Sequence, residues 1–190
     1  KGWNLENSKE WFSKHQASAL QLQFYASVQD WEEKDGKHYA RICLIDTSLN
    51  KNNWRVTEEA LQKALDTLVG KPLTAKLGYR VNHANNPIEV GTFIQADKLD
   101  GHALGVAEIT DSAAWDKIKS GEWRPVSVEI TAHKVVCSKC GQDILDERDE
   151  HIKLGEAHEV IESFNFNRVA FVSEPAYPKA GVLIFDGLEQ

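Results

Sequence analysis

Two cysteines in the second half of the chain have the spacing of metal ligands. Cys137 and Cys140 form a CxxC pair, and Gly141 follows at once. In such a turn two thiolates bind one metal ion, and the glycine lets the backbone fold back. A redox pair is less favoured, because a redox CxxC normally opens a helix in a βαβ unit. The spacing predicts a zinc knuckle, and the alternative is a relic of one that no longer holds metal.

A serine and a histidine upstream of the knuckle could form a catalytic pair. Ser127 lies in the alternating segment 126–130, whose aliphatic side chains should face the core and leave Ser127 and Glu129 on the other face. A serine hydroxyl needs a base to remove its proton, and histidine is the usual base. His83 is the candidate. The alternatives are a surface hydroxyl and a histidine that stabilises the Asn- and Pro-rich turn at 82–87.

Strands are predicted to position these residues. Apolar alternation and high β propensity predict strands at 19–28, 38–45, 88–99, 102–109, 125–136, 164–172 and 182–185. The acidic segment 32–36 is predicted to be a turn, and Asp100 and Gly101 predict a hairpin.

Two short helices interrupt the strands. The first is predicted to begin at the Thr57 cap and to end at Gly70, and the second to run from Asp111 or Ser112 to Gly121. Residues 1–17 are predicted to form an N-terminal arm or helix. The order predicts a mainly β fold with peripheral helices (α+β), an antiparallel barrel with the helices packed outside it.

Three segments together resemble the prohead maturation proteases of tailed viruses, a family that shares its fold with herpesvirus assemblin. They are 81–83, which ends in His83, 124–129 around Ser127, and 167–178. The family has a histidine before a strand, a serine inside a later strand, and a further strand that ends in a Pro-Ala turn. The resemblance covers roughly 46–182. It implies a barrel of the assemblin type, with Ser127 as nucleophile and His83 as base.

The third catalytic residue departs from the family pattern. Arg168 stands where these proteases have an acid or a second histidine, and a permanent cation cannot orient an imidazolium. The site could work as a Ser/His dyad, or Glu129 or Glu162 could replace the acid. Otherwise activity is lost. Arg168 itself could help to stabilise an oxyanion.

The resemblance also extends to the knuckle. Some prohead proteases carry a third cysteine where this chain has Asp149, followed by a histidine that matches His151. The implied ligands of a structural Zn²⁺ are therefore Cys137, Cys140, Asp149 and His151. His158 competes with Asp149 for the fourth position. No cofactor is expected for catalysis.

Charge and hydrophobicity narrow the classes of partner. The formal net charge is −7, and Lys and Arg are scattered rather than clustered, which argues against nucleic acid. No apolar run approaches the roughly 20 residues of a membrane span, and no secretory leader opens the sequence. A cytosolic chain without a disulfide framework is expected, since Cys43 stands alone in a strand.

These observations predict one barrel domain over 18–190, with an insertion at 137–158. Together with the resemblance they predict a serine endopeptidase that cuts scaffold or capsid-protein segments, and its own ends, inside the prohead in the infected cell. A homodimer is compatible with the herpesvirus relatives. The alternatives are a protease-fold scaffold without catalysis and a zinc-stapled binding domain.

Overall fold

Short-range sequence signals explain most of the elements in the computed structural model, which describes residues 27–75, 87–99 and 101–172. The arm at 1–17, His83 and the predicted strand at 182–185 lie outside the described residues. The strands are β1 (Ser27–Lys34), β2 (Lys37–Asp46), β3 (Trp54–Val56), β4 (Pro72–Ala75), β5 (Ile88–Leu99), β6 (His102–Ile109), β7 (Val126–Cys137) and β8 (Glu159–Phe171). The α-helices are α1 (Glu58–Ala64), α2 (Ser112–Lys119) and α3 (Glu150–Lys153). The protein is therefore mainly β with helices, as predicted.

Both predicted helices begin at the expected caps. The Thr57 side chain accepts a hydrogen bond from the Ala60 N–H at 3.1 Å, and Asp111 caps α2 in the same way at 2.8 Å. These bonds satisfy N–H groups that have no partner within the helix. A 3₁₀ turn (Leu65–Thr67) follows α1, and no described helix is both long and apolar enough to cross a membrane.

The eight strands form one sheet, and neighbours pair in the order β1-β2-β6-β5-β4-β8. β7 pairs antiparallel to β8 along nearly its whole length, while β3 and β4 pair parallel to β8. Because each strand has two hydrogen-bonding sides, β7 lies on one side of β8 and the two short strands on the other.

The predicted antiparallel barrel is wrong in two respects. The sheet is mixed, because β3 and β4 run parallel to β8. Within the described residues it also does not close, because β1 and β7 each have one hydrogen-bonded neighbour and do not pair with each other. β2 and β7 approach across the interior without strand pairing. Barrel closure needs pairing at every edge, and these edges lack it.

The boundaries of β1 and β8 differ from the predicted ones. β1 extends to Lys34, inside the segment 32–36 that was predicted to be a turn. The chain therefore reverses at Asp35 and Gly36 alone, and both residues have positive φ. β8 begins at Glu159, five residues before the predicted 164. The β5–β6 hairpin is confirmed, with Leu99 paired to His102 around Gly101.

One buried cluster joins the sheet to α1 and α2. Its large members include Leu61, Leu68, Phe93, Trp115, Phe166 and Phe171. Val126 and Val169 belong to the same cluster, so the inner faces of β7 and β8 are part of the core. The opposite face of β7 is the one that carries Ser127.

Candidate catalytic surface and metal centre

The strand register fixes the direction of Ser127. On β7, Val126 pairs with Phe171 and Val128 with Val169, and these four side chains pack in or against the core. Ser127 pairs with Ala170 between them, so it lies on the outer face and is half-buried. The alternation of β7 thus has the arrangement expected from the sequence.

The Ser127 hydroxyl has no side-chain hydrogen-bond partner among the described residues. Ser127 is one of the residues that line an open groove of about 420 Å³. His83, the predicted base, lies outside the described residues, so the structure does not describe its relation to Ser127.

An ion pair lies beside Ser127 on the same face. Glu129 and Arg168 are register partners, and the Arg168 Nε donates to a Glu129 carboxylate oxygen at 2.6 Å. Both side chains are partly exposed, by 42% for Glu129 and 23% for Arg168. The Glu129 carboxylate, on β7, therefore lies directly against the Arg168 side chain, on β8.

The second candidate acid lies elsewhere. Glu162 pairs with Lys134 at 3.1 Å, eight residues before the Ala170 that faces Ser127. Glu129, in contrast, is two residues from Ser127 on the same strand face, where side chains are about 7 Å apart. Of the two acids, Glu129 is the one positioned at the serine.

Four residues of the knuckle converge. Cys137 is the last residue of β7, and the Gly141 N–H donates to its carbonyl at 2.9 Å, which closes the turn that carries Cys140. Asp149 caps α3, and His151 lies in its first turn. The ligand atoms of Cys137, Cys140, Asp149 and His151 all lie within 4.8 Å of one another. These four residues could hold a metal ion.

Two of the separations match a tetrahedral site, and a third is a hydrogen-bond distance instead. Zinc with bonds of about 2.3 Å to sulfur and 2.0–2.1 Å to nitrogen and oxygen would separate S from N by about 3.6 Å and N from O by about 3.3 Å. The observed separations are 3.7 Å from the Cys137 Sγ to the His151 Nδ1 and 3.3 Å from that Nδ1 to the Asp149 Oδ2. The Cys140 Sγ lies 3.1 Å from the same oxygen, at hydrogen-bond distance.

The charge state of Asp149 suits a ligand. Desolvation alone would raise the pKa of this carboxyl, but hydrogen bonds with both thiols, the Ile152 N–H and His151 outweigh it and lower the pKa to about 2. Asp149 is therefore ionised at neutral pH and available to bind a cation. The Cys140 thiol has a raised pKa, because its bond to Asp149, burial and Cys137 outweigh the lowering by the Gln142 backbone. Metal binding deprotonates such a thiol.

The alternative ligand His158 is used differently. Its Nε2 accepts a hydrogen bond from the Arg55 Nε at 3.3 Å. Burial first, and the Arg55 charge second, lower the pKa of His158. The metal cluster does not include this imidazole, so the structure favours Asp149 as the fourth ligand.

The insertion at 137–158 is held to the rest of the protein by contacts other than those of the four clustered residues. Ile144 is buried in the main core, and its N–H donates to the Val135 carbonyl at 2.9 Å. Ser138 and His158 exchange two bonds of 3.0 Å across the base of the insertion. A metal ion would therefore add to these bonds rather than close the segment alone.

No pattern in the sequence indicates that Trp54 lines the same groove as Ser127. Trp54 belongs to β3, which was not predicted because it has three residues and pairs with residues more than one hundred positions away. An isolated aromatic residue after Asn52 and Asn53 carries no strand signal of its own.

Comparisons with family models, with curated proteins and with solved structures found no match to this chain.

Proposed function

We propose that the chain is a serine endopeptidase of the prohead maturation type, which cuts scaffold or capsid-protein segments during capsid assembly. The observation that carries the proposal is the place of Ser127. Its hydroxyl lies on the outer face of β7, next to an ion pair and at the edge of a groove. A serine nucleophile has to be reachable by its substrate and needs an adjacent base, a role that the proposal gives to His83.

In the proposed reaction His83 takes the proton of Ser127 as the oxygen attacks the peptide carbonyl carbon. The tetrahedral intermediate collapses when the same histidine gives that proton to the leaving amine. Water then attacks the acyl-enzyme with His83 again as base, which releases the second product. Backbone N–H groups near the nucleophile would stabilise the oxyanion.

Glu129 is the proposed third member. It is the carboxylate positioned beside Ser127, and the Arg168 guanidinium restrains it at 2.6 Å. In a triad the acid orients the imidazole and stabilises its charged form. Arg168, at the position of the family's acid, would thus act by holding Glu129.

Reaction with a serine-directed phosphonate tests the proposal. We expect one label per chain, on Ser127, and none in Ser127→Ala. Ser163→Ala is the matched control, because Ser163 is an exposed serine of the neighbouring strand β8. No labelling of the wild-type chain, or labelling that survives Ser127→Ala, would contradict the proposal.

We also propose that the ion held by Cys137, Cys140, Asp149 and His151 is Zn²⁺ and that its role is structural. Two sulfurs with one nitrogen and one oxygen suit zinc, and four protein ligands leave no position open for substrate. The supporting observation is the set of separations within the cluster. Elemental analysis of purified protein should find one zinc per chain.

An inactive scaffold is the second candidate, and one observation favours it. Arg168 occupies the family's acid position and engages Glu129 strongly, which could leave the base without an orienting partner. The third candidate is a binding domain whose fold is stabilised by a zinc ion, and the metal cluster supports it. Neither would react with the phosphonate, so the labelling experiment separates both from the endopeptidase.

A further inference from the structure

The two sulfurs of the knuckle lie at different depths. Cys137 ends β7 and is 1% exposed, whereas Cys140 is exposed at the surface. A small oxidant in solution therefore reaches the Cys140 sulfur first. The Cys137 sulfur lies within 4.8 Å of it and is shielded from solvent. An accessible cysteine beside a second cysteine that can attack it is the arrangement of redox-sensing pairs.

The turn that joins these cysteines also suits a disulfide. The Gly141 N–H donates to the Cys137 carbonyl at 2.9 Å, and the Cys137 N–H donates to the Gln142 carbonyl at 2.9 Å. A tight turn keeps the Cα atoms of residues three positions apart within about 7 Å, and disulfides usually join Cα atoms about 4.4–6.8 Å apart. Rotation of the exposed Cys140 side chain is then enough to bring the two sulfurs together.

The ligand set makes metal binding depend on both sulfurs. Half of the cluster is this pair, and the other half is the Asp149 carboxylate and the His151 imidazole. The metal ligand is a thiolate, and a disulfide removes both thiolates at once. One oxygen and one nitrogen are then left, whereas a structural zinc site uses four protein ligands. Zinc binding and a disulfide therefore exclude each other at this turn.

We propose that the knuckle is a redox switch, in which a hydroperoxide converts Cys137 and Cys140 from metal ligands into a disulfide. The pair acts as a switch rather than as a disulfide-exchange catalyst, because it follows β7 in a turn and does not begin a helix. In a reducing compartment such disulfides are transient and serve as sensors. The inference rests on the proposed zinc site and does not depend on the proposed endopeptidase.

The oxidation takes place in two steps. The Cys140 thiolate attacks one oxygen of the peroxide, the O–O bond breaks, and a sulfenic acid forms while an alcohol or water leaves with one proton from solvent. The Cys137 thiolate then attacks the Cys140 sulfur, the S–S bond forms, and the hydroxyl leaves as water with a second proton. The two sulfurs together lose two electrons, and the peroxide gains them.

Oxidation should free α3 from the turn. The Cys140 Sγ lies 3.1 Å from the Asp149 Oδ2, and the Cys137 Sγ lies 3.7 Å from the His151 Nδ1. A disulfide ends the ability of these four groups to share one ion. Lys139 in the turn pairs with a carboxylate beyond α3 at 2.9 Å, but exposed ion pairs contribute little. We therefore expect α3 to loosen while β7 and β8 stay paired.

Peroxide treatment of the zinc-loaded whole chain tests the switch. We expect release of one zinc ion per disulfide, a mass loss of two hydrogen atoms within 137–140, and faster proteolysis within 149–157. A dithiol, with zinc supplied again, should reverse all three changes. Cys43→Ser is the matched control and should respond like the wild type, because Cys43 is 2% exposed within β2. Zinc retained in fully oxidised protein, or no disulfide within 137–140, would overturn the inference.

The single cysteine variants test the order of the steps. Cys137→Ser should accumulate a sulfenic acid on Cys140, which a dimedone probe detects, because the attacking sulfur is missing. Cys140→Ser should leave Cys137 unlabelled under the same conditions, because that sulfur is buried. Equal labelling of the two variants would contradict the assignment of Cys140 as the site of the first attack.

The same measurements separate the switch from the other proposals. If purified protein holds no zinc but peroxide forms the disulfide, the structural zinc fails and the oxidation site stands. If zinc binds and survives peroxide, the switch fails alone. Ser127→Ala should oxidise like the wild type, since Ser127 lies ten residues from Cys137 at the other end of β7. Failure of the endopeptidase therefore leaves both results readable.

Discussion

Glu129 and Arg168 face each other across β7 and β8, and a hydrogen bond of 2.6 Å joins their side chains two residues from Ser127. The pair places one carboxylate, on β7, and one guanidinium, on β8, beside the serine. In the proposed endopeptidase this carboxylate is the third catalytic residue.

Glu129→Gln should reveal whether that carboxylate supports catalysis. The amide keeps the size and removes the charge that would orient the imidazole. We expect kcat to fall by about 10²- to 10⁴-fold with little change in KM. Glu162→Gln, which alters an exposed acid paired with Lys134, should leave kcat unchanged. Equal effects of the two substitutions would exclude Glu129 as the third member.

Ser127→Ala should abolish cleavage and leave the fold intact. Ser127 is half-buried and lacks a side-chain hydrogen-bond partner among the described residues, so the free energy of unfolding should change by no more than about 0.5 kcal/mol. Denaturant unfolding and cleavage of a capsid or scaffold-protein segment are the two measurements. Cleavage at the wild-type rate would show that Ser127 is not the nucleophile, whereas no cleavage by the wild-type chain would favour the scaffold.

His151→Ala should lose zinc, and His158→Ala should keep it. Only His151 belongs to the cluster, whereas His158 accepts from Arg55. Elemental analysis measures the metal, and limited proteolysis measures order in 141–158. A strong chelator should speed cleavage there in the wild-type chain and leave the sheet protected. Zinc retained by His151→Ala would contradict the ligand assignment.

The imidazole of His158 should titrate below its ordinary pKa of 6.5, because burial and Arg55 oppose its protonation. The unfolded chain then binds this proton more readily than the folded chain. The associated stability is fully present above pH about 6.5 and is lost as pH falls through the lowered pKa. An NMR titration should show a rise toward 6.5 in Arg55→Ala. A wild-type value at or above 6.5 would contradict the predicted direction.

Sequence-local features were predictable, and pairing over long separations was not. The caps at Thr57 and Asp111 and the Gly101 turn act within a few residues, so their patterns were visible. β3 is three residues long and pairs with β8, about a hundred positions away, while the four-residue β4 pairs with both β5 and β8. The parallel pairs of the mixed sheet come from these two strands.

In the candidate metal site, too, the local pattern was predictable from the sequence and the long-range contact was not. The spacing of Cys137 and Cys140 indicated a knuckle, since both thiols lie in one turn. The choice between Asp149 and His158 depends on Arg55, which is 103 positions from His158. No local pattern contains that contact. The groove likewise needed the placement of Trp54 by β8 before it could be recognised.

β8 also has a consequence for the order of events during synthesis. It is the last described strand, and it pairs with β3, β4 and β7. None of these three pairings can form before residues 159–171 have left the ribosome, since parallel and long-range pairing waits for its partner. The surface that carries Ser127 is therefore completed only after the whole of 159–171 has been synthesised, however early the nucleophile strand itself has emerged.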